Sequence, residues 1–264
     1  MQSIKTIYKI GPGPSSSHTF GPMMASKYIN EHYPDATHFK ITLFGSLALT
    51  GKGHLTDKII LKTLGASKCE IIFDMKTAVE HPNTMIIEVF DNDTKVAQHT
   101  FVSIGGGKIE IDGKKGNVDP EIYPHTKMDD IQVYCNERHL RLDQYIDEVE
   151  DSDFDSYMNQ IFKQMLKTVN TGLKKTGVLP GSLKIDRVAH ALHQSAQSCS
   201  DIQDKNSLLL SSYAYAANEQ NASGGIVVTA PTMGSCGVLP SLVYHFYHDQ
   251  KYPKKTLIQG LKVA

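Results

Sequence analysis

The sequence predicts two folded parts in series, an α+β N-terminal domain over residues 1–150 and an all-α domain over residues 151–264. Period-two alternation in "FKITL" (39–43) and "TMIIEVF" (84–90) marks half-buried strands, and such signals are confined to the first half. Beyond Asp151, the residues Met158, Ile161, Phe162, Met165, Leu166, Val169 and Leu173 fall on one face of a helix. Between the two lies the acidic run "DEVEDSDFD" (147–155), whose like charges suit an exposed connection and place the boundary near residues 140 to 155.

Taken in order, the first segment is "IGPGPSSSHTFGP" (10–22). Its prolines remove backbone donors and its glycines raise the entropy cost of helix, so it is expected to be a loop. Helix is expected in "SKYINEHY" (26–33), then a strand in 39–43. A glycine- and hydroxyl-rich loop, "FGSLALTGKGHLTD" (44–57), leads into a helix over "LTDKIILKTLG" that stops at Gly65. Strand 84–90 is followed by the turn "DNDT". Further strands are read in "KVAQHTFVSI" (95–104), "KIEIDG" (108–113) and "DIQVY" (130–134). Helices then cover 158–173, 187–198 and "SLLLSSYAYAANEQ" (207–220).

Composition narrows the function classes. The 264 residues carry 27 Lys plus Arg against 28 Asp plus Glu, a net charge of -1 that offers no field for nucleic acid or an anionic membrane. No signal-peptide core and no run of about 18 apolar residues is present, so a cytoplasmic protein with a small-molecule substrate is expected. Cys69, Cys135, Cys199 and Cys236 form no CxxC pair, which points to free thiols rather than a disulfide framework or a self-contained zinc site.

Four segments are rich enough in hydroxyls or glycine to carry chemistry: the opening loop, the 44–57 loop, "SIGGGK" (103–108) and "NASGGIVVTAPTMGSCG" (221–237). The second follows a strand and precedes a helix, where backbone amides are available to an anion. Neither "TGKGH" nor "GGGK" completes the GxxxxGK[ST] pattern of a nucleotide-phosphate loop. A pyridoxal-phosphate reading of "SIGGGK" needs a Schiff-base lysine in a partner motif, and none is found. Each feature also has a plain structural reading. Three serines serve as linker or helix cap, a lone histidine as a hydrogen-bonded surface group, Cys236 as a small buried thiol, and Gly105 to Gly107 as a turn or bulge.

Three blocks taken together, "GPGPSSSHTFGPM", "LFGSLALTGKGHLTD" and "NASGGIVVTAPTMGSCGVLPS", resemble the iron–sulfur-dependent bacterial L-serine dehydratases. The first two resemble that family's β-chain domain and the third the start of its α-chain domain. The resemblance implies a small α+β domain, of the type also seen as a regulatory domain in some phosphoglycerate dehydrogenases, joined to an all-helical catalytic domain holding a [4Fe–4S] cluster. It implies a lyase converting L-serine to pyruvate and ammonia, in amino-acid degradation and gluconeogenesis. Ser15, Ser16, Ser17 and Thr19 are then candidate donors to the substrate carboxylate, with Ser46, Thr56 and Thr232 as further substrate contacts. His18 and His54 fall beside the site, His54 as the acid/base group oriented by Asp57 or a hydroxyl, and Cys236 falls at a cluster-ligand position. Implied partners are L-serine, a second copy or a separate α-chain, with no nucleic acid and no membrane.

The sequence also departs from that pattern. The family's remaining cluster cysteines follow in "GCxGE"-like and "CDP…VPC"-like segments, whereas Cys69, Cys135 and Cys199 match no ligand position. One thiolate cannot hold a four-iron cluster. The all-α domain is therefore expected to be incomplete and the 264-residue chain inactive as it stands, whether a fragment, a truncated gene product or one subunit of two. Its helical half is expected to associate through apolar faces that lack partners. Met233 replaces the family's usual Asn, and Ile226 its usual Arg. The alternative function is a non-catalytic serine-binding or regulatory subunit.

Overall fold

A computed structural model describes residues 1–115, 119–181 and 183–264. The chain forms two units, one of Pro12–Val118 and the other of Met1–Gly11 with Asp119–Ala264. A short strand, β1 (Ile10–Pro12), lies where the chain passes from one to the other.

In the Pro12–Val118 unit the order is α1 (Gly21–His32), β2 (His38–Phe44), α2 (Gly45–Thr50), α3 (Thr56–Leu64), β3 (Cys69–Asp74), β4 (Thr84–Asp91), β5 (Thr94–Gly105), β6 (Lys108–Ile111) and β7 (Lys114–Lys115). The strands make one sheet in the order β3-β2-β4-β5-β6-β7. Only β2 and β3 run parallel, because the helices between them carry the chain back to the start of the sheet. Alternation decides what is buried: Phe39, Ile41 and Leu43 of β2 face inward with Met85, Ile87 and Val89 of β4. Ala25 and Ile29 of α1 and Ile60 and Leu64 of α3 close that core. Each such aliphatic side chain, fully buried, contributes about 1.5–3 kcal/mol.

The other unit is helical: α4 (Met128–Arg138), α5 (Leu142–Val149), α6 (Phe154–Leu173), α7 (Ala189–Ser198), α8 (Ile202–Ala222), β8 (Ile226–Val228), α9 (Val238–His248) and α10 (Lys254–Val263). The long amphipathic α6 serves two cores. Met158, Ile161, Phe162 and Met165 pack with Tyr145, Val243 and Leu261, while Val169 and Leu173 pack with Leu209, Tyr213 and Ala216. At Gly172 a methyl group would lie 2.2 Å from the carbonyl oxygen of Ala216, so glycine is what lets α6 and α8 approach. Asp201 caps α8, accepting from the amides of Gln203 and Asp204. The N-terminal residues belong here too: Lys9 N donates to Thr229 Oγ1 at 2.9 Å, and Thr229 Oγ1 donates to Ile7 O at 2.7 Å.

The α+β then all-α order of the sequence reading holds, with three corrections to its elements. "DIQVY" is not a strand but the middle of α4. Asp129 and Asp130 sit favourably in the first helical turn, and only Ile131 and Cys135, four residues apart, turn inward while Val133 is exposed. "GSLALT" inside the supposed 44–57 loop is α2, and the strand β3 was not anticipated. Most of the acidic run is exposed, as its charge predicts, and Glu150 and Phe154 are its buried members. Glu150 is buried and accepts from Ser3 Oγ (2.6 Å), Ile4 N (2.8 Å) and Tyr123 OH (2.8 Å), and Lys262 pairs with Asp147 and Asp155. The compact units of the chain meet at 11/12 and 118/119.

Candidate functional site

Ser15 to Phe20 are not a plain loop. The strand β1 ends at Pro12 and the chain bends at Gly13 and Pro14, but between Pro14 and Pro22 no proline interrupts, and Pro22 lies in the first turn of α1 where no donor is missed. Ser15 acts as an N-cap, its hydroxyl accepting from His18 N at 3.1 Å. Residues Ser16–Phe20 then form one wide π-type turn, with Phe20 N donating to Ser15 O at 3.0 Å, and run directly into α1.

That turn presents His18 between hydroxyls. Its Nε2 is 2.8 Å from Ser46 Oγ, at the start of α2, and its Nδ1 is 3.0 Å from Ser17 Oγ and 3.5 Å from Ser15 Oγ. The His54 ring lies beside it, with centroids 4.7 Å apart. Burial first, and then the electrostatic influence of neighbouring His54, hold the His18 imidazole below its ordinary value.

The two histidines are clasped through their own backbones. Thr19 Oγ1 donates to His54 O at 2.7 Å, and Thr56 Oγ1 donates to His18 O at 2.5 Å. Both threonines are buried, at 1% and 0% exposure. Their hydroxyls are thus engaged inside the fold, as donors to backbone carbonyls. Ser15, Ser16, Ser17 and Ser46 are half-buried.

His54 Nδ1 is 3.0 Å from Thr50 O. A carbonyl only accepts, so Nδ1 carries the proton in the neutral ring and the lone pair is on Nε2. Thr50, four residues earlier, is therefore the orienting group. Asp57 is not: its carboxylate accepts from Lys58 N at 2.9 Å and lies in the first turn of α3, where a negative charge favours the helix. Leu55, next to His54, has φ of +58°, a left-handed conformation that costs about 1–2 kcal/mol for a non-glycine residue. None of Thr50's role was anticipated, although its i to i+4 spacing from His54 is visible in "TGKGH".

Thr232 and Cys236 belong to the helical unit. Thr232 is exposed, with Oγ1 3.1 Å from Ser235 Oγ. Cys236 is fully buried, its Sγ 3.6 Å from Asn218 Oδ1, and burial pushes the thiol up to about 12. A cluster ligand must be a thiolate. Among the described residues no group of three His, Cys, Asp or Glu side chains is placed to hold a metal ion. Cys69, Cys135 and Cys199 are free. These residues do not by themselves fit a [4Fe–4S] cluster. Met233 is buried, whereas Ile226 is exposed and its carbonyl accepts from Thr168 Oγ1 at 3.1 Å.

Comparison with known proteins adds independent weight. The family model described as serine dehydratase beta chain matches residues 3–72, and that described as serine dehydratase alpha chain matches residues 64–264. L-serine dehydratase 2 of Escherichia coli is 31% identical over 304 residues, covering 93% of this chain and 66% of that protein. L-serine dehydratase of Helicobacter pylori is 32% identical over 297 residues, covering 92% and 65%. L-serine dehydratase of Streptomyces coelicolor is 29% identical over 299 residues, covering 93% and 66%. The chain thus spans 66% or so of the length of such relatives. Matches to both chain models, extending over nearly all of its residues, make this protein a member of the serine dehydratase family.

Proposed function

We propose that this chain acts in the dehydration of L-serine to pyruvate and ammonia, with the His18 and His54 cluster as its substrate-handling centre. In that reaction the Cα proton and the Cβ hydroxyl leave as water. The resulting enamine tautomerises to an imine, which water hydrolyses to pyruvate and ammonia. The observation that carries the reading is the fixed tautomer of His54, whose Nδ1–H is held by Thr50 O and whose Nε2 lone pair remains to take a proton. His18, kept neutral, orients the Ser46 and Ser17 hydroxyls. A neutral imidazole donates from one ring nitrogen and accepts at the other, so the serine that accepts from His18 keeps its O–H and, with Ser15 and Ser16, supplies donors to a carboxylate without adding a charge.

A cluster of the kind the family resemblance implies needs ligands besides Cys236, and we derive no step through it. A soluble cytoplasmic enzyme acting as a homo-oligomer, or with a separate α-chain, accords with this reading. In the described residues no helix is long and apolar enough to cross a membrane.

Two measurements on the full chain test it: L-serine binding by calorimetry, and pyruvate formation with iron and sulfide content determined on the same preparation. His54→Ala is expected to lower pyruvate formation at least about 100-fold, the usual share of a general acid/base, with L-serine affinity changed only a few-fold. Unchanged turnover would remove His54 from the role. A second reading, a serine-binding or regulatory subunit, is favoured by one fact: the hydroxyl and histidine cluster is complete within the Pro12–Val118 unit. Saturable L-serine binding without iron or turnover supports it, and no binding at all overturns both.

A further inference from the structure

We propose that the β5–β6 hairpin "SIGGGK" is a seat that sets the position of the histidine turn, with Ser103 and Gly107 as positioning residues for His18. The proposal rests on the reading above that this turn handles L-serine, but its geometry is independent of it. Phe20 ends the wide turn and Gly21 begins α1, and both lie against the hairpin. A methyl group on Gly21 would stand 2.1 Å from Ser103 Oγ and 2.8 Å from Ser103 Cβ. One on Gly107 would stand 2.5 Å from Phe20 Cδ1 and 2.7 Å from Phe20 Cε1. Contacts that short are not tolerated in a close-packed interior, so at both points glycine and its neighbour fit only as this pair.

Ser103 carries a second mark. It is 0% exposed, and among the described residues its hydroxyl has no hydrogen-bond partner. A buried, unpaired hydroxyl works against stability, so a purely structural position would favour alanine. The side chain instead fills the space that Gly21 leaves. The strand below it is fixed, with Ser103 N donating to Asn83 O at 3.0 Å and Asn83 Nδ2 to Ser103 O at 3.3 Å. Gly107 has φ of +74°, so the hairpin can bring its bare backbone under the Phe20 ring. His18 lies two residues before Phe20 in the same hydrogen-bonded turn, and a shift of the seat is passed to its ring.

Exchanging the sizes across the contact tests this in the full chain, using Ser103→Gly, Gly21→Ala and the double variant. The readouts are L-serine affinity by calorimetry, the His18 imidazole titration by NMR, and thermal unfolding. Each single variant is expected to weaken L-serine binding by about tenfold and to move the His18 midpoint toward that of an ordinary imidazole. The double variant is expected to recover both to within about twofold, because the new methyl occupies the space that Ser103 vacates. If Gly21→Ala does not fold, Ser103→Gly against the double variant decides the matter. Single variants that change only the melting temperature, or a double variant with losses as large as the two singles summed, overturn the proposal. If the unaltered chain binds no L-serine, the substrate reading fails on that result, while the His18 titration across the three variants still tests the seat.

Discussion

Replacing Thr56 with valine removes one hydroxyl from a fully buried site while preserving its shape. That hydroxyl donates to His18 O, and Thr56 itself is 0% exposed. The variant therefore loses a hydrogen bond and leaves a carbonyl without its buried partner. The first loss is about 1 kcal/mol, and an unsatisfied buried group brings the cost to about 1–3 kcal/mol. A control isolates the effect. Thr63 Oγ1 donates to Ile59 O, a carbonyl one turn back in the same helix, and Thr63 is only half-buried. Its replacement by valine is expected to cost less than about 0.5 kcal/mol. Urea unfolding of the full chain, followed by far-UV circular dichroism, compares the two. With a slope of about 3 kcal/mol per molar, the upper end for a chain of this size, Thr56→Val lowers the midpoint by up to about 1 M relative to Thr63→Val. Equal midpoints for the two variants would show that the backbone clasp between the histidines carries no stability.

Two further outcomes follow from the same geometry. His18 has a depressed value in the folded protein, so below about pH 6.5 the unfolded chain binds the extra proton first. Stability then falls as pH drops below about 6.5, levels off once His18 also protonates in the folded state, and loses that slope in His18→Gln, as pH-dependent melting would show. Gly172→Ala pits helix propensity against packing. Alanine favours an isolated helix by about 1 kcal/mol, but its methyl would lie 2.2 Å from Ala216 O, so the expected net result is a loss of about 1–3 kcal/mol in thermal unfolding, and a gain would contradict the close approach of α6 and α8.

Local patterns with a single physical cause were readable in advance. The alternation of Phe39, Ile41 and Leu43 reports one buried face, and the spacing from Met158 to Leu173 reports one buried helical stripe. Gly65 marks the end of α3 because it takes φ of +96°. "DIQVY" carries β-branched residues that also occur in helices whose outward face is solvated, and a five-residue window does not separate the two periods. The prolines of "GPGPSSSHTFGP" predict a loop, but their spacing leaves room for one wide helical turn.

What the sequence determined by itself is the inventory: the hydroxyls of Ser15, Ser16, Ser17 and Ser46, the two imidazoles, the two classes of secondary structure, and membership in the serine dehydratase family. Tertiary structure alone decided how that inventory divides. It turned Thr19 and Thr56 inward as backbone clasps and buried Cys236 as a protonated thiol. It also buried Glu150 of the acidic run as an acceptor for Tyr123, while the exposed Asp147 and Asp155 pair with Lys262. The reason is physical: residue type sets which hydrogen bonds a side chain can make, but the partner within reach and the water excluded around it depend on segments brought together from dozens of residues away.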